Sequence, residues 1–228
     1  MKKKIKETII ISLGGSLLVP DDINISFLKK FTKLLKSHLN TKRFFIVVGG
    51  GKICRLYQKA LLEFKASERE RDLIGIAISR LNAEIVKKAF SKVVYPKLLL
   101  NPFKKIKTSK SVIVAAGFKP GSSTDYVAVI LALTYQIKTI INLTNIDYVY
   151  NKDPNKFTDA QPFKQMSWKD YRLIAAQKWK PGLSLPFDPQ ASKLAARSGL
   201  KVIIMNGKKP SNLKNFLNKK PFQGTTIQ

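Results

Sequence analysis

The sequence predicts an α/β protein in which helices cover a mostly parallel sheet. Five continuous apolar runs, rich in β-branched residues, have the length of strands that are buried on both faces. Segments with the apolar spacing of helices lie between these runs, and an alternation of strands with helices is typical of parallel sheets. Glycine-rich turns follow the first three runs, as tight connections from strand to helix require.

The predicted strands end where the chain carries its unusual residues. We expect strands at residues 8–13, 44–48, 111–117, 138–144 and 200–207. The turns SLGGS, GGGK and AAGFKPGSSTD follow the first three strands, and LTNIDYVYNKDP follows the fourth. Ligands of such sheets bind beyond the carboxyl ends of the strands. Backbone N–H groups of these turns can converge on anionic oxygens, so we predict a phosphate-binding edge.

The segments between the strands are predicted as helices. They lie at residues 25–39, 52–64, 67–90, 124–136, 168–177, 189–197 and 211–217. The single histidine, His38, stands at the end of the first helix, where we expect it to be solvated. One histidine and one cysteine, Cys54, are too few for a disulfide framework, a zinc site or a Ser-His-Asp triad.

The GGGK turn at residues 49–52 suggests phosphate binding, but its spacing is not that of a P-loop. A P-loop has the pattern G-x-x-x-x-G-K-[ST]. In this chain Ile46 stands in place of its first glycine, and Ile53 stands in place of its hydroxyl residue. The pattern therefore excludes the P-loop and leaves open what the turn holds.

The formal net charge of +28 would attract polyanions to the protein surface. The lysines are spread along the whole chain, however, and no basic block is longer than KKK. The sequence also lacks the stacking aromatics of an RNA-recognition sheet. The sequence therefore favours an ordinary protein surface that is rich in lysine over a surface that serves to bind nucleic acid.

Neither a membrane span nor a signal peptide is expected. Polar residues interrupt each apolar run before it reaches the roughly 20 residues of a span. The apolar stretch near the N-terminus is shorter than that of a signal peptide, and it leads into a glycine turn. We therefore predict a cytoplasmic protein.

Seven motifs follow one another with the order and spacing of uridine monophosphate kinases of the amino-acid-kinase superfamily. They are IISLGGSLL, IVVGGGKICR, RDLIGIAISRLNA, GFKPGSSTDYVAV, TNIDYVYNKDP, DPQASKLAARSG and GTTI. The chain resembles the archaeal-type branch from residue 8 to residue 227. The resemblance implies a three-layer α/β/α sandwich and an ATP:UMP phosphotransferase that makes UDP and ADP with Mg²⁺. It also implies a homohexamer. No internal repeat or low-complexity linker divides the chain, so we expect residues 1–228 to form one domain, with a UMP-binding lobe at about 1–145 and an ATP-binding lobe at about 146–228.

The resemblance also implies two nucleotide subsites, position by position. The ATP positions are Gly15, Ser16, Gly51, Arg55, Thr144, Asn145, Tyr150, Asp153 and Lys193. The UMP positions are Gly50, Asp72, Phe118, Lys119, Pro120, Gly121, Ser122, Ser123 and Thr124. Asp188 matches an aspartate that organises the family's active site, and we predict it as a catalytic residue.

Several of these residues also have plainer explanations. Taken alone, Asp72 is a solvated charge on a helix, and Asp188 is a helix N-cap. Asp125 is either an acid favoured by the dipole of its helix or an active-site residue. Tyr150 is either a core residue or a platform for adenine, and Lys193 is by default an exposed helical lysine.

Residue 12 departs from the pattern of the superfamily. Many members carry a lysine two residues before the first glycine pair, as a cation for the transferring phosphoryl group, and this chain has Ser12 there. We hypothesise that Lys52 or Lys119 helps to supply the missing charge together with Mg²⁺, and we predict Lys52 as catalytic. The unusual loop at residues 179–189 is either a nucleotide lid or an oligomer contact.

Two other classes of function stay open from the sequence. One is another kinase of the superfamily with a different acceptor. The other is a protein without turnover that binds nucleotides, oxyanions or nucleic acid. Ser12 favours a protein without turnover, because it lacks the cation, and a nucleic-acid binder would make use of the net charge of +28.

Overall fold

The computed structural model describes residues 6–152, 154, 156–175 and 185–228. Its strands are β1 (Glu7–Leu13), β2 (Lys42–Val48), β3 (Val112–Ala115), β4 (Thr139–Thr144), β5 (Val149–Tyr150), β6 (Pro162–Phe163), β7 (Gln165–Met166), β8 (Lys201–Asn206) and β9 (Thr225–Ile227). Seven of them form one sheet in the order β3-β2-β1-β4-β8-β9-β7, and β5 pairs with β6 in a separate antiparallel ribbon.

The centre of the sheet is parallel, as the sequence predicts. The strands β3, β2, β1, β4 and β8 all run in the same direction, and β9 joins β8 antiparallel at one side. In the register of β1, Ser12 lies between Val47 of β2 and Asn142 of β4. All five predicted strands are confirmed. The four short strands β5, β6, β7 and β9 were not predicted. A segment of two or three residues is too short to show the apolar pattern of a strand.

All seven predicted helices lie within a few residues of their predicted segments, and one short helix, α1 (Gly15–Leu18), was not predicted. The predicted helices are α2 (Ile25–Lys36), α3 (Gly51–Glu63), α4 (Glu68–Phe90), α5 (Thr124–Tyr135), α6 (Trp168–Ile174), α7 (Pro189–Arg197) and α8 (Pro210–Leu217). Side-chain caps explain several helix starts. Ser67 and Glu70 form a capping box at α4, and Ser123 caps α5 by accepting from Tyr126 N. None of the helices in these described ranges combines the length and the apolar character needed to cross a bilayer.

The sheet separates two hydrophobic layers, which explains why its strands are apolar throughout. Ile9 and Ile11 of β1 pack on one face, in a cluster that includes Phe31 of α2 and Val86 of α4. Ile10 points to the other face, where the cluster includes α5, α6 and α7. Alternate residues of each central strand therefore enter different layers, and the three-layer α/β/α sandwich is confirmed.

Candidate active site

A cavity of about 280 Å³ lies at the carboxyl ends of the parallel strands. Residues that follow β1, β2, β3 and β4 line it, together with residues of α3 and α4. The lining includes these positions predicted from the resemblance: Gly15, Ser16, Gly50, Gly51, Arg55, Asp72, Ser122, Ser123, Thr124, Thr144 and Asn145. The four strand ends that the sequence predicts as a binding edge thus meet at one cavity.

Two glycine turns touch each other in the middle of this cavity. A Cβ atom built on Gly15 would lie 2.5 Å from Gly49 O, and one built on Gly51 would lie 2.6 Å from Gly15 O. Gly51 also has a φ angle of +73°, which favours glycine. Side chains at residues 15 and 51 would therefore force the backbones apart. Their absence lets the N-termini of α1 and α3 approach the same volume.

The strand order fixes the order of the groups along the cavity. The segment 117–124 follows β3, the GGGK turn follows β2, the first glycine turn follows β1, and Thr144 and Asn145 follow β4. The two glycine turns therefore lie between the 117–124 segment on one side and Thr144 on the other. Such an arrangement suits two ligands whose anionic groups meet at the central glycines.

Helix α4 lines one side of the cavity and binds the backbone of the neighbouring turns. Asn82 Nδ2 donates to Gly49 O at 3.0 Å and to Gly50 O at 3.1 Å, and Ser79 Oγ accepts from Gly117 N at 2.7 Å. Both side chains are buried. Neither residue was predicted for the site. Their spacing from Asp72, at seven and ten residues, was the available signal, because it places all three on one face of a helix.

Asp72 is a buried carboxylate on this face, not a solvated charge. Its Oδ2 atom accepts a hydrogen bond of 2.7 Å from Gly121 N, and the residue is 8% exposed. Burial raises the pKa of the Asp72 carboxyl, and the hydrogen bond from Gly121 opposes this rise. The contact joins the start of α4 to the segment after β3.

Two carboxyl groups, of the half-buried Asp125 and the buried Asp188, lie close together at the cavity. Asp125 Oδ1 accepts from Ser12 Oγ at 2.8 Å, and Asp125 Oδ2 accepts from Asp188 N at 3.1 Å. Asp188 caps α7 by accepting from Ala191 N at 2.7 Å, while its buried Oδ2 atom has no partner in the described part of the chain. Burial and the neighbouring Asp188 raise the pKa of Asp125 to about 7. Burial also raises the pKa of Asp188.

The structure bears out the plainer explanations of these two residues, and their roles in an active site stay predictions. Asp125 lies in the first turn of α5 and also lines the cavity. Asp188 caps α7 and is linked to Asp125 through its own N–H group. Asn142 of β4, which lines the cavity and donates to Pro186 O at 2.6 Å, was not predicted. The sequence feature that could have identified Asn142 is its position as a polar residue inside the apolar strand TIINLT.

Comparisons with known proteins agree with this architecture. The model of the amino acid kinase family matches residues 7–206. The chain belongs to the amino acid kinase family. It is 34% identical over 213 residues to a uridylate kinase of Methanobrevibacter smithii, covering 92% of this chain and 94% of that protein. It is 35% identical over 227 residues to a uridylate kinase of Thermoplasma volcanium, covering 97% and 98%.

A solved structure extends the likeness to three dimensions. The crystal structure of a uridylate kinase from Archaeoglobus fulgidus superposes on this amino acid kinase family member with a TM-score of 0.82 at 32% identity, covering 96% of this chain and 99% of that one. The resemblance based on seven motifs is thereby confirmed.

The basic side chains predicted for the site differ in whether they reach the cavity of this family member. Lys52 pairs with Asp21 on the surface, and Lys119 Nζ lies 5.6 Å from the centre of the Phe118 ring. Neither lysine is part of the lining, and Lys193 is exposed on α7. Within the described ranges, Arg55 of α3 is the one Lys or Arg side chain that lines the cavity.

The remaining predicted residues lie around the cavity or outside the described residues. Phe118 packs edge to face on Phe103, with ring centres 5.8 Å apart, and Pro120 and Gly121 follow it without entering the lining. Tyr150 packs against Tyr148 and is not part of the lining. Asp153 lies outside the described residues, as does the first part of the 179–189 loop. Leu185 and Pro186 of that loop line the cavity.

Proposed function

We propose that this chain is a UMP kinase, which transfers the γ-phosphoryl group of ATP to UMP and yields UDP and ADP. One observation carries the proposal. Residues that the resemblance assigns to both nucleotide subsites line a single cavity, with two glycine backbones in contact at its centre. Relatives named uridylate kinase support it, since they match over more than nine-tenths of the chain.

The order of the strand ends suggests where each nucleotide binds. UMP would occupy the side formed by Asp72 and residues 118–124, after β3. ATP would occupy the side formed by the first glycine turn, Thr144 and Asn145, after β1 and β4, with Tyr150, Asp153 and Lys193 further along. The N-terminal part, to about residue 145, would thus bind UMP, and the part from about 146 would complete the ATP site.

The transfer itself demands positioning and charge neutralisation. A phosphate oxygen of UMP attacks the γ-phosphorus, and the bond to the oxygen that bridges the β- and γ-phosphorus atoms breaks, so that ADP leaves. UMP phosphate is largely ionised near neutral pH, with a second pKa of about 6 for such esters, so no general base is needed. Backbone N–H groups at Gly15 and Gly51 and the Arg55 guanidinium would stabilise the charge on the transferring group.

Asp125 and Asp188 would serve this mechanism by fixing backbone geometry. Asp125 ties β1 to the start of α7 through Ser12 and the Asp188 N–H group. Asp188 in turn starts α7, the helix that carries Lys193. Lys52 and Lys119 stay predictions for the missing cation, which Arg55 is better placed to supply.

Mg²⁺ fits this site as a companion of the ATP phosphates. The described residues contain no cluster of three or more metal-ligating side chains, and Mg²⁺ in kinases is usually held by one or two carboxylates together with substrate phosphates and water. The partnerless Oδ2 atom of Asp188 is a buried acceptor that could take a water of this ion. When bound, the metal would neutralise phosphate charge.

We also propose a homohexamer located in the cytoplasm. Helices α3 and α4 leave large apolar side chains exposed, which supports a contact with a second copy: Leu56, Tyr57, Leu73 and Leu81. Phe64, just after α3, is 82% exposed and continues this surface.

UMP-dependent release of ADP from Mg²⁺·ATP tests the proposed function. We expect release with UMP and much less with acetylglutamate or isopentenyl phosphate as acceptors. CMP in the same panel reports the base preference. Binding of UMP without ADP release would instead support a protein without turnover, and release with only another acceptor would support a different kinase of the family.

A further inference from the structure

Two side chains of α4 bind backbone carbonyl groups of two segments at the cavity, the GGGK turn and the segment after β3. Asn82, which is 4% exposed, uses its Nδ2 atom for two bonds, to Gly49 O and Gly50 O. Arg80 uses Nε for Gly117 O and one terminal nitrogen for Phe118 O, both at 3.1 Å. None of these four carbonyls belongs to α4, so the bonds connect the helix to two separate loops.

The bonds of Arg80 are unusual for a charged side chain. Among the described residues, no ion pair involves Arg80, so its guanidinium is held by backbone carbonyls alone. Both carbonyls lie at the start of the segment that follows β3. Gly117 leaves no room for a side chain there, since its Cβ would lie 2.8 Å from Ser79 Oγ. The segment is therefore pressed against α4 and held by Arg80 and Ser79.

The bonds of Asn82 act on a turn that has little freedom. Its two acceptors precede Gly51, whose backbone is in contact with Gly15. A small displacement of the GGGK turn would therefore either open this contact or close it into a clash. Because residues 80 and 82 belong to one continuous helix, α4 sets the position of the GGGK turn relative to the segment after β3.

We propose that Asn82 and Arg80 are positioning residues of the phosphoryl transfer, which rests on the proposed function. Asn82 positions the turn between the two nucleotides, and a misplacement of about 1 Å there costs on the order of 100-fold in rate. Its loss therefore lowers kcat. Arg80 positions the segment expected to surround UMP, and its loss raises the KM for UMP while the KM for ATP stays the same.

The test of Asn82 is Asn82→Asp, which keeps the size and replaces the donor amide by an oxygen facing two carbonyls. We expect kcat to fall about 100-fold, with both KM values within about three-fold of the wild type. Asn212→Asp is the matched control, since Asn212 is equally buried and binds backbone atoms of Gln223 away from the cavity. The control is expected to lose stability but to keep kcat.

The test of Arg80 is Arg80→Met, with Arg43→Met as the matched control. Arg43 also donates to a backbone carbonyl, Thr108 O, at the other end of the sheet. We expect Arg80→Met to raise the KM for UMP about ten-fold, and Arg80→Lys to recover part of this loss. Arg43→Met is expected to leave both KM values unchanged.

The outcomes separate this inference from the proposed function. A wild-type chain without UMP-dependent ADP release contradicts the proposed function itself. An active wild type whose Asn82 and Arg80 variants change only in melting temperature, as the Asn212 and Arg43 variants do, contradicts the positioning roles and leaves the proposed function intact.

Discussion

Ser12 donates a hydrogen bond of 2.8 Å to Asp125, at the position where many members of the superfamily carry a lysine. The serine is 2% exposed and neutral, so it satisfies one oxygen of Asp125 without balancing its charge. The backbone N–H group of Asp188, the second acidic residue, donates to the other oxygen of Asp125. The site therefore contains two neighbouring carboxyl groups with little contact with solvent and no cation beside them in the described residues. The first prediction concerns their titration, and the second concerns the residue that supplies the missing positive charge.

Asp125 should make the stability of the ligand-free protein depend on pH. Its pKa is raised from an ordinary value near 4 to about 7, by burial and by Asp188. Between these values the native state holds a proton that the unfolded state has released, so the free energy of unfolding falls as the pH rises. We expect the free energy of unfolding of Asp125→Asn to fall much less over this pH range than that of the wild type. The difference should be a few kcal/mol, because each pKa unit corresponds to about 1.4 kcal/mol.

Chemical denaturation of the wild type and Asp125→Asn at pH 5 and pH 7.5 checks this prediction. The exposed Asp22→Asn variant is the control and should follow the wild type. Parallel pH dependences of the wild type and Asp125→Asn would show that Asp125 titrates normally in the native state.

Arg55 should contribute more to catalysis than either lysine proposed from the sequence. It lines the cavity, whereas Lys52 pairs with Asp21 and Lys119 lies beside Phe118. We expect Arg55→Ala to lower kcat about 100-fold, or about 3 kcal/mol, as the loss of one transition-state donor does elsewhere. Lys52→Ala and Lys119→Ala should stay within about three-fold. Steady-state kinetics of the three variants are the measurement, and a larger loss for either lysine than for Arg55 would support the hypothesis made from the sequence.

Gly15→Ala should disrupt the contact between the two glycine turns. The new methyl group would meet Gly49 O at 2.5 Å, and backbone atoms cannot rotate away as a side chain can. We expect loss of ATP binding, measured by calorimetry, and a lower melting temperature. Gly199→Ala is the control, because a Cβ there meets open space and suffers only from its φ of +60°, a cost of about 1 to 2 kcal/mol. Unchanged ATP affinity in Gly15→Ala would refute the close contact.

Asp72→Asn should weaken UMP binding without unfolding the segment after β3. The amide keeps an oxygen that can accept from Gly121 N but removes the negative charge. Hydrogen bonds to charged groups contribute about 1.5 to 3 kcal/mol, so we expect the KM for UMP to rise about 10- to 100-fold and the KM for ATP to stay constant. Glu84→Gln, at an exposed position of the same helix, is the control. An equal rise of both KM values would indicate a general structural effect.

Much of the architecture was predictable because its signals are local. Each central strand is a continuous apolar run, since its residues alternate between two buried layers, and the glycine turns follow directly. The family was predictable from seven motifs in register. Eleven of the predicted nucleotide positions line the cavity, because turns at the ends of neighbouring parallel strands necessarily meet at one edge.

The roles of single side chains were harder to predict from the sequence. Lys52 follows the glycines directly in sequence, yet its position on the outer side of α3 brings it to Asp21. Asn82 and Ser79 have helical spacing from Asp72, but spacing alone does not distinguish the face of α4 that packs on the sheet from the face that binds backbone carbonyls. Asn142 stood out only as a polar residue in an apolar strand.

The sequence by itself determined the alternation of strands and helices, the glycine turns and the membership of the amino acid kinase family. The tertiary structure decided which polar groups meet. Ser12 and Asp125 are separated by 113 residues, and Asp125 and Asp188 by 63. Such pairs form only when three different elements pack around one buried point. Burial then sets the protonation of the carboxyl groups, a property that depends on surroundings and that no local pattern of residues encodes.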